Sequence, residues 1–190
     1  ITRNGFTLDE VVDAKLPRVT RASNDRARSV GVADVVTPGG QQHVSVFFTH
    51  ATPHADGARD RAKQLKAIAA MTRGVSDGSL TVRDAQTGKR VKLSTDRGAP
   101  VIVAGDLNAT QRVADRFLEG SGRKGDPGLT NVLDMRARHA GHNRRGATNG
   151  HHRIDHVYAS DGFDLIRSSV LAVPERRVHD PVGVTDHKAV

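Results

Sequence analysis

The stretch VIVAGDLNAT, residues 101–110, constrains this chain more than any other. Val101 to Ala104 form an unbroken apolar run closed by Gly105, which has the length and composition of a buried strand. Gly105 is expected to turn the chain. Asp106 and Asn108 then alternate with Leu107, and in extended backbone that spacing sends a carboxylate and an amide to the same side. A strand ending this way is either forming a turn, since Asp and Asn are turn residues, or presenting polar groups to a ligand. A carboxylate can hold a hard divalent cation or take a proton from water. A neutral amide beside it can orient water or a phosphoryl oxygen without adding repulsive charge.

The remaining pattern tells what such a strand packs against. SVGVADVV (29–36) and HVSVFFTH (43–50) are Val-rich and separated by Pro38-Gly39-Gly40, which predicts an antiparallel hairpin. Residues 1–29 are polar and weakly patterned and predict no element. Asp56 is placed to cap a helix over about 57–72, with Ala62, Leu65, Ile68, Ala69 and Thr72 along one stripe. TVRDAQTGKRVKL, within a Gly-, Asp- and Thr-rich stretch at 74–99, reads as a small exposed hairpin turning at Thr87-Gly88. After the 101–105 strand come a short helix over 111–118, a loop at 121–128, a short helix or turn at 129–135 and a polar, basic loop at 139–152. RIDHVYAS (153–160) alternates as a strand, with Ile154, His156 and Tyr158 on one face and Arg153, Asp155 and Val157 on the other. A strand over 163–173 and a last one beginning at Lys188 complete the pattern. Strands, one clear helix and more strands predict an α+β fold with its sheets inside. Aromatics are 3% of the chain and Trp is absent, so the core must rest on Val, Leu, Ile and Ala.

At 190 residues the chain is expected to be a single domain over 1–190 or part of a larger one. The formal net charge of +8 favours a polyanionic partner such as nucleic acid, although the Lys and Arg residues are scattered as a solvated surface would also have them. The absence of cysteine excludes disulfides and thiolate metal sites. No apolar run reaches the roughly 20 residues of a transmembrane helix. The chain begins at Ile1, from which we expect that residues upstream are missing. That start, the lack of cysteine and His50 lean towards an exported protein. Nothing in the sequence speaks to the oligomeric state.

Further polar residues stand at strand ends. Thr185-Asp186-His187 sets a carboxylate beside an imidazole just before the last strand, suited to metal binding by one and phosphate stabilisation or proton transfer by the other. Arg153-Ile154-Asp155-His156 opens a strand, where Asp155 can orient a catalytic imidazole or simply pair with an arginine. Phe48-Thr49-His50 closes the second strand of the hairpin, and His50 is a second phosphate-contacting candidate. His50 and His54 have an i, i+4 spacing, but Pro53 intervenes and no Glu-x-x-His context exists, so zinc is not indicated there. His139, His142, His151, His152 and His156 are irregularly spaced. Arg144, Arg145, Arg153, Arg176 and Arg177 are candidates for substrate phosphate contacts, or are solvated surface charge.

Taken in order, Thr-His at a strand end, Gly-Asp-Leu-Asn, Arg-Ile-Asp-His and Thr-Asp-His resemble the endonuclease/exonuclease/phosphatase superfamily, the DNase I-like fold. The resemblance runs from about residue 28 to the C-terminus. It implies a four-layer α/β/β/α sandwich with the site at one mouth between its two sheets. It also implies a divalent-metal-dependent phosphodiester hydrolase with Mg²⁺ as cofactor, Mn²⁺ or Ca²⁺ being possible. On that pattern Asp106 contacts the metal or activates water, Asn108 orients the nucleophile or phosphate, and Asp186 sits on the cation. His187 stabilises the pentacovalent transition state or protonates the leaving group, Asp155 holds the ring of His187, and His50 matches a first catalytic histidine. Nucleic acid is the implied substrate.

Two motifs of the family are missing near the start: an early-strand Asn, and a Gln-Glu whose Glu is a principal metal ligand. Glu10, in Leu8-Asp9-Glu10-Val11, has the right letter but lies only 40 residues before His50. The chain is therefore expected to carry the C-terminal two-thirds of the fold, with activity requiring upstream residues. Two other functions fit the same motifs. One is a sphingomyelinase-like or inositol-phosphate phosphoesterase, against which stands the lack of any aromatic-rich loop. The other is a non-catalytic polyanion-binding module of the same fold.

Overall fold

The computed structural model describes residues 5–18, 27–40, 42–53, 57–120, 127–132 and 154–163. Their elements run β1 (Thr7–Lys15), β2 (Ser29–Val36), β3 (His43–His50), α1 (Ala58–Ser76), β4 (Thr81–Arg83), β5 (Arg90–Lys92), β6 (Val101–Asp106), α2 (Gln111–Leu118), β7 (Thr130–Asn131) and β8 (Asp155–Ala159). A six-stranded sheet has the order β1-β2-β3-β6-β8-β7, and β4 and β5 form a separate two-stranded ribbon. All pairings in the large sheet are antiparallel except β3 with β6, which run parallel. Parallel neighbours need a crossover, and α1 lies within it.

The core follows from the strand alternation. Val12 and Ala14 of β1, Val30 and Val32 of β2, Phe47 of β3, Val101 and Val103 of β6 and Tyr158 of β8 point to one face. There they meet Leu65, Ile68, Ala69 and Val75 of α1 and Ala114 and Leu118 of α2. Apart from Phe47 and Tyr158 this core is built from small and branched aliphatics, as the composition requires. On the opposite face Phe48 lies across Gly31, where any added Cβ would overlap the ring. Among the described residues no helix is long and apolar enough to cross a membrane.

The hairpin at 29–50, the ribbon turning near Thr87-Gly88, and the α2 and β8 assignments agree with the sequence reading. Four features differ from it. Residues 7–15 form an edge strand where no element was expected. Its period-two signal is interrupted because the register shifts between Leu8 and Glu10, so one alternation does not run its length. Helix α1 extends to Ser76, because Val75 is fully buried and continues the stripe past Thr72. Its N-terminus has Gly57 in the capping position with no side-chain cap, while Asp56 lies outside the described residues. Residues 130–131 add an edge strand to β8, and Val132 directly after them is helical, so the short helix or turn expected over 129–135 is preceded by a strand, while 133–135 lie outside the described residues. Finally, β6 continues through Gly105 to Asp106, so the chain does not turn at the glycine. The strands expected at 163–173 and from Lys188 lie outside the described residues apart from Phe163.

Candidate active site

Gly105 explains how the end of β6 is built. Its φ is +135°, and a Cβ at this position would collide with the Thr49 carbonyl oxygen of the neighbouring parallel strand. Without a side chain the two backbones close up, and the next residues come level: His50 of β3 is the register partner of Asp106. On the other side of β6, Asp106 is the register partner of Asp155, the first residue of antiparallel β8. Three expected site residues, His50, Asp106 and Asp155, thus stand in one row across adjacent strands at one end of the sheet. The row is extended by backbone bonds from Ala51 N to Asp106 O at 2.8 Å and from Leu107 N to Ile154 O at 2.9 Å.

Past Asp106 the chain bends sharply. Asn108 has φ +47°, and it is the non-glycine residue with positive φ among those described. Asn tolerates this region better than most residues. Its backbone N donates to Asp106 Oδ1 at 2.7 Å, closing a side-chain turn, and its Nδ2 donates to Ala51 O at 3.0 Å. Asp106 and Asn108 are therefore brought together by a turn, and not by alternation along a strand. Both readings of Gly-Asp-x-Asn apply at once: the turn chemistry is what holds the polar groups at the sheet end. The second Asp106 oxygen, Oδ2, faces His50 Nε2 at 3.5 Å. The His50 side chain is 57% exposed and that of Asp106 only 13%, so solvent reaches the imidazole first.

The loop after His50 is held by residues that the sequence reading passed over. Thr52 N donates to Gln64 Oε1 at 3.0 Å, Gln64 Nε2 donates to Thr52 Oγ1 at 2.9 Å, and Arg61 Nη1 donates to Thr52 O at 3.0 Å. Gln64 is buried on α1. A polar residue beside the apolar Leu65–Ile68 stripe, one that could not face water, was the available signal. His156 is likewise structural: its Nε2–H donates to Ala109 O at 2.8 Å, and it is buried. That bond, and the Tyr158 hydroxyl donating to Asp115 Oδ1 at 2.6 Å, tie the loop after Asn108 and α2 to β8.

Glu10 does not join the site. It is the register partner of Asp34, which in turn pairs with Ser45, five residues before His50 along β3, or roughly 17 Å at strand rise. Its Oε2 accepts from Ser94 N at 3.3 Å. His54, Arg144, Arg145, Arg153, Arg176, Arg177, Asp186 and His187 lie outside the described residues.

Residues 13–187 match the model of the endonuclease/exonuclease/phosphatase family. The chain belongs to this family. Among solved structures it is similar to the human Nocturnin catalytic domain with bound sulfate, at 17% identity and a TM-score of 0.56 over 84% of this chain and 50% of that one. It is also similar to D. rerio TDP2 complexed with a single-strand DNA product (16% identity, TM-score 0.53, 82% and 53% covered). A third is the mannosyl-6-phosphatase Bt3783 of Bacteroides thetaiotaomicron (15% identity, TM-score 0.54, 84% and 54% covered). These likenesses establish the α+β, DNase I-like fold. The chain spans about half the length of each of these structures. No curated protein matches the sequence significantly.

Proposed function

We propose that the protein is a divalent-metal-dependent phosphoester hydrolase and that nucleic acid is its substrate. The observation that carries this reading is the row of His50, Asp106 and Asp155 across three strands, with Asn108 folded back onto it. Asp106 and Asp155 bring two carboxylates to register partners across a strand pair, and a cation bound at this end of the sheet offsets their like charge. The donors are oxygens without any thiolate, which suits a hard cation such as Mg²⁺. Asp106 would hold it together with Asp186, as the family resemblance implies. When bound, such a cation neutralises charge on the phosphoryl oxygens.

The chain's own groups do the rest. The Asp106 carboxylate takes a proton from the attacking water. One Asn108 Nδ2 hydrogen is engaged by Ala51 O, and the other is able to donate to a phosphoryl oxygen. His50 contacts the phosphate from the exposed side of the row. His187, oriented by Asp155, stabilises the transition state or protonates the leaving oxygen. The net charge of +8 supports a polyanionic substrate, as does the similarity to a TDP2 structure containing DNA product.

The test is nicking of supercoiled plasmid by the full-length parent protein, with Mg²⁺ or with EDTA, beside an Asp106→Ala, His187→Ala double variant. Nicking that needs metal and disappears in the variant is the expected result. Cleavage of sphingomyelin or inositol phosphates without nicking would move the substrate to lipid or inositol phosphoesters. Failure on every phosphoester would refute the enzyme reading in favour of a polyanion-binding module.

A further inference from the structure

The opposite end of the sheet carries a second polar cluster, drawn from three strands. The β1–β2 register shifts between Leu8 and Glu10, leaving Asp9 outside the ladder. Asp34 in β2 is the register partner of Ser45 in β3, and His43, two residues before Ser45, lies on the same face by strand alternation. Asp34 is 5% exposed, and its Oδ2 lies 2.6 Å from His43 Nδ1. Its other oxygen, Oδ1, is buried with no hydrogen-bond partner among the described residues, and so is the hydroxyl of Ser45. A buried carboxylate oxygen left without a donor is costly and calls for a partner. One ligand atom each from Asp9, Asp34 and His43 lies within 4.8 Å of the other two.

We propose that Asp9, Asp34 and His43 form a zinc site separate from the catalytic row. The imidazole argues against Mg²⁺ and Ca²⁺, which take oxygen ligands, and the divalent affinity order places Zn²⁺ well above Mn²⁺. Two carboxylates and one imidazole leave the fourth tetrahedral position to water. Bonds of about 2.0–2.1 Å set tetrahedral ligand atoms about 3.3 Å apart. His43 Nδ1 and Asp34 Oδ2 are 2.6 Å apart and would open by a few tenths of an ångström, all the ligand atoms already lie within 4.8 Å of one another, and Asp9 is exposed and free to adjust. Zinc here joins edge strand β1 to β2 and β3 through side chains, at the bulge where their backbone ladder is irregular.

The test uses the full chain stripped of metal and dialysed against Zn²⁺ with Mg²⁺ in excess. Bound zinc and thermal midpoint are measured for wild type, Asp9→Asn and His43→Gln. Asp9 and His43 are not buried, so neither change threatens the fold, and far-UV circular dichroism verifies that. Wild type is expected to bind one more zinc than either variant, and its midpoint to rise by about 5 °C with zinc while theirs does not. Equal zinc binding by wild type and both variants, or none by wild type, overturns the proposal. Neither result depends on hydrolysis, so a failure here is distinct from a failure of the catalytic reading.

Discussion

Replacing Gly105 with alanine tests whether one missing side chain sets the geometry of the catalytic row. Gly105 sits at φ +135°, where an L-residue is strained by about 1–3 kcal/mol. The new Cβ also meets the Thr49 carbonyl oxygen, a backbone atom that cannot rotate aside. Relieving the clash means parting β6 from β3 where Gly105 pairs with Thr49 and Asp106 with His50. Losing about two ladder hydrogen bonds there adds about 1–3 kcal/mol. The sum, about 2–6 kcal/mol, is a large share of a typical total stability of about 5–15 kcal/mol. Gly88 supplies the control. It also has positive φ, +69°, but among the described residues nothing lies within 4 Å of where its Cβ would stand, so Gly88→Ala should cost only the backbone strain, about 1 kcal/mol. Urea unfolding of both variants gives the two free energies, and plasmid nicking by each variant reports the site. Gly105→Ala is expected to lose more stability than Gly88→Ala and to lose nicking, while Gly88→Ala keeps it. Equal stabilities, or full nicking by Gly105→Ala, would refute the argument that this close approach positions Asp106.

Other substitutions probe the supports of the site. Gln64→Ala leaves Thr52 N and Oγ1 without their buried partner and should cost about 2–3 kcal/mol in urea unfolding. Tyr158 is the sole tyrosine, so absorbance at 295 nm reports it alone. Burial first and Asp115 second push its pKa far above the ordinary 10.0. The folded protein therefore keeps a proton that the unfolded chain loses, stability falls as pH rises above about 10, and the absorbance should rise only when the protein unfolds. In zinc-free protein the hydrogen bond to Asp34 holds His43 above its ordinary 6.5. Its contribution to stability is then full below 6.5 and lost as pH rises through the folded value; proton NMR of the His43 ring should show the raised midpoint returning towards 6.5 in Asp34→Asn.

The parts of the fold that were readable in the sequence are those where one local signal dominates. VIVAG is too apolar for anything but a central strand, and Pro38-Gly39-Gly40 between two Val-rich runs leaves little except a hairpin. β1 was not readable, because its alternation breaks at the bulge and its apolar residues Leu8 and Val11, like Phe6 just before it, face solvent and not the core. The row of His50, Asp106 and Asp155 shows another limit. Each residue stood out by type and by its place at a strand end, but their adjacency depends on β3 pairing parallel to β6 across a crossover of 50 residues between His50 and Val101. No local pattern encodes that pairing. The cluster of Asp9, Asp34 and His43 escaped notice for the same reason, since its members share no spacing and meet only through strand register.

Within the Gly-Asp-Leu-Asn segment, backbone and amide contributions are separable by a second substitution. Asn108→Gly keeps the positive φ without strain, and it keeps the backbone N–H that donates to Asp106 Oδ1. What it removes is the amide. The bond from Nδ2 to Ala51 O is worth about 1 kcal/mol, so the stability loss should be small beside that of Gly105→Ala. If the amide also meets a phosphoryl oxygen as charge develops there, its removal should slow hydrolysis by about 10²–10³-fold, the usual cost of deleting one such donor. The ratio of rates, measured on plasmid at saturating Mg²⁺, decides between the two uses of the residue. A slowed enzyme of nearly native stability places Asn108 in the chemistry. A variant that nicks at the wild-type rate would confine it to shaping the turn, and Asp106 would then need nothing from its neighbour but a backbone hydrogen bond.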